Sequence, residues 1–179
     1  MSKRLLLVVD VQEDFVHGAL PGDNAVKRIP NMVKRLQEQR DKGLDVMFTQ
    51  DTHYEDTYFD TQEGKNLPIL HCVKGTHGWQ VLSDLQEFIT EDTVVIEKET
   101  FGSVPMMEEV AKHLANGYDE IELFGICTDI CVINTAVLLK NFFSEVPIFV
   151  NAECSSGITE ELHNASLTTM ESFQIGIIR

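Results

Sequence analysis

Six short apolar runs constrain the fold of this chain more than any other feature of its sequence. They lie at Arg4–Val9, Asp45–Thr49, Thr93–Ile96, Ile121–Phe124, Pro147–Val150 and Gln174–Ile178. Four are rich in β-branched residues, whose side chains suit a pleated surface, so all six are read as strands. Segments of helical period lie between them. Met32, Val33 and Leu36 share one helix face with Gly43 as a stop, and Pro105 at a first turn precedes Val110, Leu114 and Gly117. Strands that are apolar on both faces and separated by helices predict an α/β fold. It is a doubly wound, six-stranded, mostly parallel sheet with helices on both faces and right-handed crossovers. Such sheets bind ligands beyond the carboxyl ends of their strands, where the winding reverses. The residues that follow each strand are therefore the site candidates.

With 179 residues the chain is read as a single domain, 1–179, since a chain this size buries roughly two-thirds of its unfolded surface in one core. A net charge of −15 opposes a phosphate backbone, and no run of basic residues exceeds two, so no nucleic-acid partner is expected. The opening MSKRLLLVVD breaks at Asp10 without a small-residue cleavage site, unlike a secretory signal. No apolar stretch approaches the ~20 residues of a membrane helix. No membrane partner and a cytoplasmic location are the expectations. Cys72, Cys127, Cys131 and Cys154 are read as free thiols, and the C-x-x-x-C spacing of the middle pair suits neither a thioredoxin motif nor a zinc knuckle.

The strand ends carry Asp10, then Asp51 and His53, then Lys98, then the turn Gly125–Cys131. No glycine-rich phosphate loop follows the first strand, which excludes the dinucleotide and P-loop folds. A helix beginning near Thr128 or Asp129 puts Cys131 in its first turn. There the helix dipole and free N–H groups lower a thiol pKa and can hold an oxyanion. Lys98 would push the thiol the same way and Asp10 could carry its proton. The residues alone equally allow a buried structural cysteine, a solvated lysine and a capping aspartate.

Three signatures decide between these readings: Asp10-x-Gln-x-Asp-Phe15, Glu97-Lys98 followed by Phe101-Gly-Ser103, and Gly125-x-x-Thr-Asp-x-Cys131-Val. Together they resemble the isochorismatase-like cysteine hydrolases, and the nicotinamidase branch in particular, over nearly the whole chain. The resemblance implies a catalytic triad of Asp10, Lys98 and Cys131. It also implies an oxyanion hole from the backbone amides of Cys127 and Cys131, and a cis peptide at Ile126–Cys127. In that family the thiolate attacks a carboxamide, ammonia leaves, and water hydrolyses the thioester.

The segment from Asp51 to about Gly78 has no convincing period, and a loop that long in a small domain is usually functional. Asp51, His53 and His71, with Glu63 between them, are ligand types used by Zn²⁺, Fe²⁺ or Mn²⁺. Spacing alone also fits loop residues bonded to the backbone. Metal-dependent nicotinamidases similarly carry Asp-x-His and a later His, matching Asp51, His53 and His71. Glu63 is taken as the fourth ligand, with Glu55, Asp56 and Asp60 as rivals.

Phe15 and Phe101 are the candidate walls of the substrate pocket. Relatives often place an aromatic three residues before the second metal histidine, and this chain has Pro68 there. Phe59, Leu67 and Trp79 are possible substitutes, Trp79 being read as opening a helical stretch. His17, His77, His113 and His163 are read as surface or capping residues, and Cys72 and Cys154 as structural thiols. The resulting expectation is an amidohydrolase releasing ammonia from a small carboxamide, nicotinamide or a close ring analogue, in a homo-oligomer by family analogy. The alternatives are a relative that cleaves a ureido or small linear amide, and a non-catalytic binding protein of the same fold. Vinyl-ether hydrolysis is disfavoured because relatives with that chemistry lack the cysteine.

Overall fold

The six apolar runs become six parallel strands. The structure, a computed structural model, describes residues 2–179. Its strands are β1 (Arg4–Val9), β2 (Val46–Asp51), β3 (Val94–Lys98), β4 (Glu120–Gly125), β5 (Ile148–Asn151) and β6 (Gly176–Ile178). They form one sheet in the order β3-β2-β1-β4-β5-β6. Every neighbouring pair is parallel, so the sheet is wholly rather than mostly parallel.

The helices are α1 (Glu13–Val16), α2 (Asp23–Asp41), α3 (Gln62–Asn66), α4 (Met106–Ala115), α5 (Ile133–Phe142) and α6 (Glu160–Ser172). Alternate residues of β1 feed two cores. Leu6 and Val8 pack with Met32 and Leu36 of α2 and with Leu82, Leu85 and Phe88 around the 3-10 segment Ser83–Phe88. Leu5, Leu7 and Val9 pack with Val110 of α4, Ala136 and Leu139 of α5, and Leu167 and Met170 of α6. The chain winds outward from β1 to β3, then returns and winds the other way from β4 to β6. Crossovers of constant hand must then put their helices on opposite faces.

The winding reverses between β1 and β4, so Asp10 and the turn after Gly125 open onto the same crevice. Gly125 has φ +151°, and a Cβ on it would meet the Val9 carbonyl oxygen at 1.9 Å. No larger residue fits where these two strands end. Gly43, at φ +63°, follows α2 as expected of a helix stop.

The strands differ from their apolar runs at the site end. β2 continues to Asp51 and β3 to Lys98, because the ladder pairs Gln50 with Glu97 and Asp51 with Lys98 whatever their polarity. β6 starts at Gly176 rather than Gln174, whose φ of +66° breaks the extended run. The segment after Asp51 is less irregular than expected, since a 3-10 turn at Tyr58–Asp60 and α3 lie within it. Trp79 opens no helix, and its indole N–H instead donates to Thr52 Oγ1 at 2.9 Å. Among the described residues no helix is long and apolar enough to cross a membrane.

Candidate active site

Asp10, Lys98 and Cys131 come from three different strand ends and meet in the crevice. Lys98 Nζ lies 2.6 Å from Asp10 Oδ2 and 3.8 Å from Cys131 Sγ, and it donates to the Thr100 carbonyl at 2.9 Å. All three side chains are buried. Asp10 sits at φ +50°, a region a non-glycine residue enters at a cost. Its other oxygen accepts a 2.6 Å bond from the Thr49 hydroxyl, which in turn accepts from the Asp10 N–H. Surrounding bonds thus hold Asp10 in a conformation it would not choose alone.

The turn that carries Cys131 is not the regular helix start the sequence suggested. Thr128–Val132 forms a π-helical turn, and α5 begins only at Ile133. The Ile126–Cys127 peptide is cis. The Thr128 N–H donates to the Ser156 carbonyl, and the Thr128 hydroxyl lies 2.8 Å from His163 Nδ1. The Cys127 N–H has no hydrogen-bond partner among the described residues and is free for a ligand oxygen.

Burial and the neighbouring Asp10 carboxylate push the Cys131 thiol well above its ordinary pKa, and Lys98 only partly opposes them. This reverses the sequence expectation of a thiol lowered by lysine and helix start. The physical reason is that the sulfur shares its dry site with two acids, Asp10 and Asp51. Burial also raises Asp10. Burial alone would lower Lys98, but Asp10, Cys131 and Asp51 hold it firmly protonated. Burial thus works against charge on both the Cys131 sulfur and Asp10, while Lys98 supplies the one positive charge between them.

A second cluster adjoins the first. One ligand atom each from Asp51, His53, Glu63 and His71 lies within 4.8 Å of the others. His53 Nε2 is 3.1 Å from Asp51 Oδ2 and 3.7 Å from Glu63 Oε1, and His71 Nε2 is 3.6 Å from each of the same two oxygens. A tetrahedral ion with ligands at ~2.0–2.2 Å needs edges of about 3.3–3.6 Å, which these distances approach. His71 Nδ1 lies 2.8 Å from the Ile69 carbonyl. A proton held there leaves the Nε2 lone pair for an ion. Donor set and spacing fit a divalent cation. Glu63 joins this group; Glu55, Asp56 and Asp60 do not.

The candidate pocket residues are less well gathered. Phe15 is half-buried, its ring centroid 5.5 Å from that of His71. Phe101 is 42% exposed on the turn after β3, and Pro68 is exposed. A cleft of about 300 Å³ beside Lys98 is lined by Thr52, Tyr54, Glu97, Thr100, Ser103 and others, but by neither phenylalanine.

Two histidine readings change. His163 is buried against Thr128 rather than exposed, and His113 is half-buried with Nδ1 on the Glu109 carbonyl. His17 and His77 are exposed as expected. All four cysteines are free, with Cys72 and Cys154 buried. Thr49, Gln12 and Asp14 escaped sequence reasoning, although the last two stand inside the signature Asp10-x-Gln-x-Asp-Phe15.

Comparison with known proteins shows the family and the fold. A family model described as the isochorismatase domain matches residues 4–178. A nicotinamidase from Schizosaccharomyces pombe is 25% identical over 205 residues, covering 97% of this chain and 91% of its own length. The crystal structure of a nicotinamidase/pyrazinamidase from Bacillus subtilis superposes with a TM-score of 0.86 at 25% identity, covering 99% of this chain and all of that one. A pyrazinamidase of Pyrococcus horikoshii in complex with zinc superposes at 0.83 with 27% identity, covering 99% of each chain.

Proposed function

The chain belongs to the isochorismatase family, and we propose that it is a cysteine-dependent amidohydrolase releasing ammonia from nicotinamide or a close ring analogue. The observation that carries this reading is the Lys98 ammonium, 2.6 Å from the Asp10 carboxylate and 3.8 Å from the Cys131 sulfur. The nicotinamidase and pyrazinamidase relatives supply the substrate class.

Asp10 takes the thiol proton as the Cys131 sulfur bonds to the carboxamide carbon. A thiol raised by burial makes this transfer part of the attack, so Asp10 acts as general base rather than neighbour to a standing thiolate. The carbonyl oxygen becomes an oxyanion facing the amides of Cys127 and Cys131. One such donor typically contributes about 3–4 kcal/mol to the transition state. Collapse breaks the carbon–nitrogen bond, and the nitrogen leaves as ammonia with the proton that Asp10 held. Asp10 then draws a proton from water as the water oxygen attacks the thioester. The carboxylic acid departs and the thiol is restored. Lys98 favours the anionic form of Asp10 against the burial that opposes it.

Asp51, His53, Glu63 and His71 would hold a divalent ion, Zn, Fe or Mn, beside this site. When bound, the ion supplies a fixed positive charge and Lewis acidity toward a substrate donor atom. Phe15 would flank the substrate from the His71 side.

A second reading is favoured by one observation. Pro68 is exposed where relatives place an aromatic, so a ring stacks against fewer walls and a ureido or small linear amide is accommodated. Ammonia release from nicotinamide, pyrazinamide and a panel of ureido and linear amides separates the two. Nicotinamide or pyrazinamide is expected to lead the panel, and Cys131→Ala to abolish release. No release from any amide, or full activity in Cys131→Ala, would overturn the proposal.

A further inference from the structure

Gln12 and Asp14 share a segment with Asp10 and Phe15, yet their side chains serve the neighbouring cluster. Gln12 is fully buried. Its amide oxygen accepts the Asp51 N–H at 2.7 Å, and its amide nitrogen donates to the Asp51 carbonyl at 2.9 Å and the Trp79 carbonyl at 2.8 Å. The β1–β2 ladder ends at the pair Val9 and Thr49, two residues short of Asp51. The Gln12 side chain thus stands in for the missing strand and saturates both backbone groups of a proposed ligand.

Asp14 does the corresponding work on the histidine side. Its carboxylate accepts the Cys72 N–H at 2.7 Å and the Ala19 N–H at 3.0 Å. Cys72 follows His71 and sits at φ +47°, a conformation that needs an external hold. The Cys72 carbonyl in turn accepts the His53 N–H at 2.9 Å. One carboxylate therefore sets the backbone of both imidazole-bearing segments. Gly78 closes over it, since a Cβ there would come within 2.2 Å of the Asp14 oxygen.

The geometry points to Gln12 and Asp14 as positioning residues for the metal centre, holding Asp51 and the His71–Cys72 turn so that the four ligand atoms converge before an ion arrives. This inference rests on the reading of Asp51, His53, Glu63 and His71 as a divalent-cation site. Losing a partner that orients a ligand typically weakens metal binding about 10–100-fold.

Metal-free wild type, Gln12→Met and Asp14→Asn are titrated with Zn²⁺ against a chromophoric chelator, and the Tm of each metal-free protein is recorded. Gln12→Met keeps the length of the side chain, and Asp14→Asn keeps one acceptor for Cys72, so each retains much of the local fold. The expected result is one tight ion per wild-type chain and an affinity about 10–100-fold weaker in both variants. Zinc affinities equal to wild type, with a lowered metal-free Tm as the sole change, would make both residues merely structural and overturn the inference alone. A wild type that takes up no zinc would instead overturn the metal site itself.

Discussion

Lys98 Nζ lies 3.5 Å from Asp51 Oδ1. The same ammonium pairs with Asp10 and approaches Cys131, so one buried cation stands between the proposed triad and the cluster of histidines and carboxylates. Two buried acids depend on it, and neither half of the site can change charge without the other feeling it.

Lys98→Met tests that dependence. The substitution keeps the aliphatic stem but leaves Asp10 and Asp51 without their shared cation. Breaking a buried pair in this way typically costs about 3–5 kcal/mol. Burial already holds the Asp10 carboxyl above its usual range, and Lys98 is the main influence pulling it down. Without Lys98 it rises further. An acid whose folded pKa is raised binds more protons folded than unfolded, so its contribution declines as pH rises. The deficit of the variant should therefore be smaller at pH 5 than at pH 8 in urea unfolding of metal-free protein. Equal deficits at the two pH values would contradict the coupling.

The sheet was legible because each strand is built around a short apolar run, broken within β4 by Glu122, and the strand ends were legible because a parallel sheet gathers them on one rim. The limits of that reading are equally physical. Lys98 and Asp51 lie inside strands that the apolar pattern ends too early, because backbone pairing ignores side-chain polarity. Gln12 and Asp14 act through backbone groups of residues far along the chain, and nothing in their own neighbourhood announces which groups those are. The direction of the Cys131 pKa was misread for a related reason. Helix start and lysine are visible locally, whereas the burial that outweighs them is a property of the assembled crevice.

Glu122 offers a test away from the chemistry. It is 1% exposed in the middle of β4. Its carboxylate accepts from Arg35 Nε at 2.9 Å and Arg35 Nη2 at 3.0 Å, from Arg4 Nη1 at 3.1 Å and from Asn151 Nδ2 at 3.1 Å. Burial would raise its pKa, but Arg35, Asn151 and Arg4 overcome this and hold it below the usual carboxylate range. Glu122→Gln leaves Arg35 without its counter-ion and should cost about 3–5 kcal/mol at pH 7. A depressed carboxylate stabilises above its unfolded pKa of about 4.3 and loses that contribution as pH falls through its folded value. The gap between wild type and variant should therefore narrow below pH ~4.3 in denaturant unfolding. A gap that stays constant down to pH 3 would assign the stability to shape rather than charge.

His163 ties α6 to the turn that bears Cys131 through the 2.8 Å contact between its Nδ1 and the Thr128 hydroxyl. Thr128 is fully buried, so a lost partner cannot be replaced by bulk water. His163→Leu should then cost about 1–3 kcal/mol, the usual penalty for an orphaned buried hydroxyl. His163→Asn, which keeps a polar group toward Thr128, should recover part of it. Burial and the nearby Arg28 lower the pKa of the ring, so the folded protein prefers it neutral. The unfolded chain then binds more protons at mildly acid pH, and stability falls as pH drops through about 6.5, the ordinary value for an imidazole. Leu at this position cannot take up a proton. The stability difference between wild type and His163→Leu should therefore shrink between pH 7.5 and pH 5. Urea midpoints at the two pH values measure it, and a difference that grew toward pH 5 would mean that the folded protein prefers a charged ring.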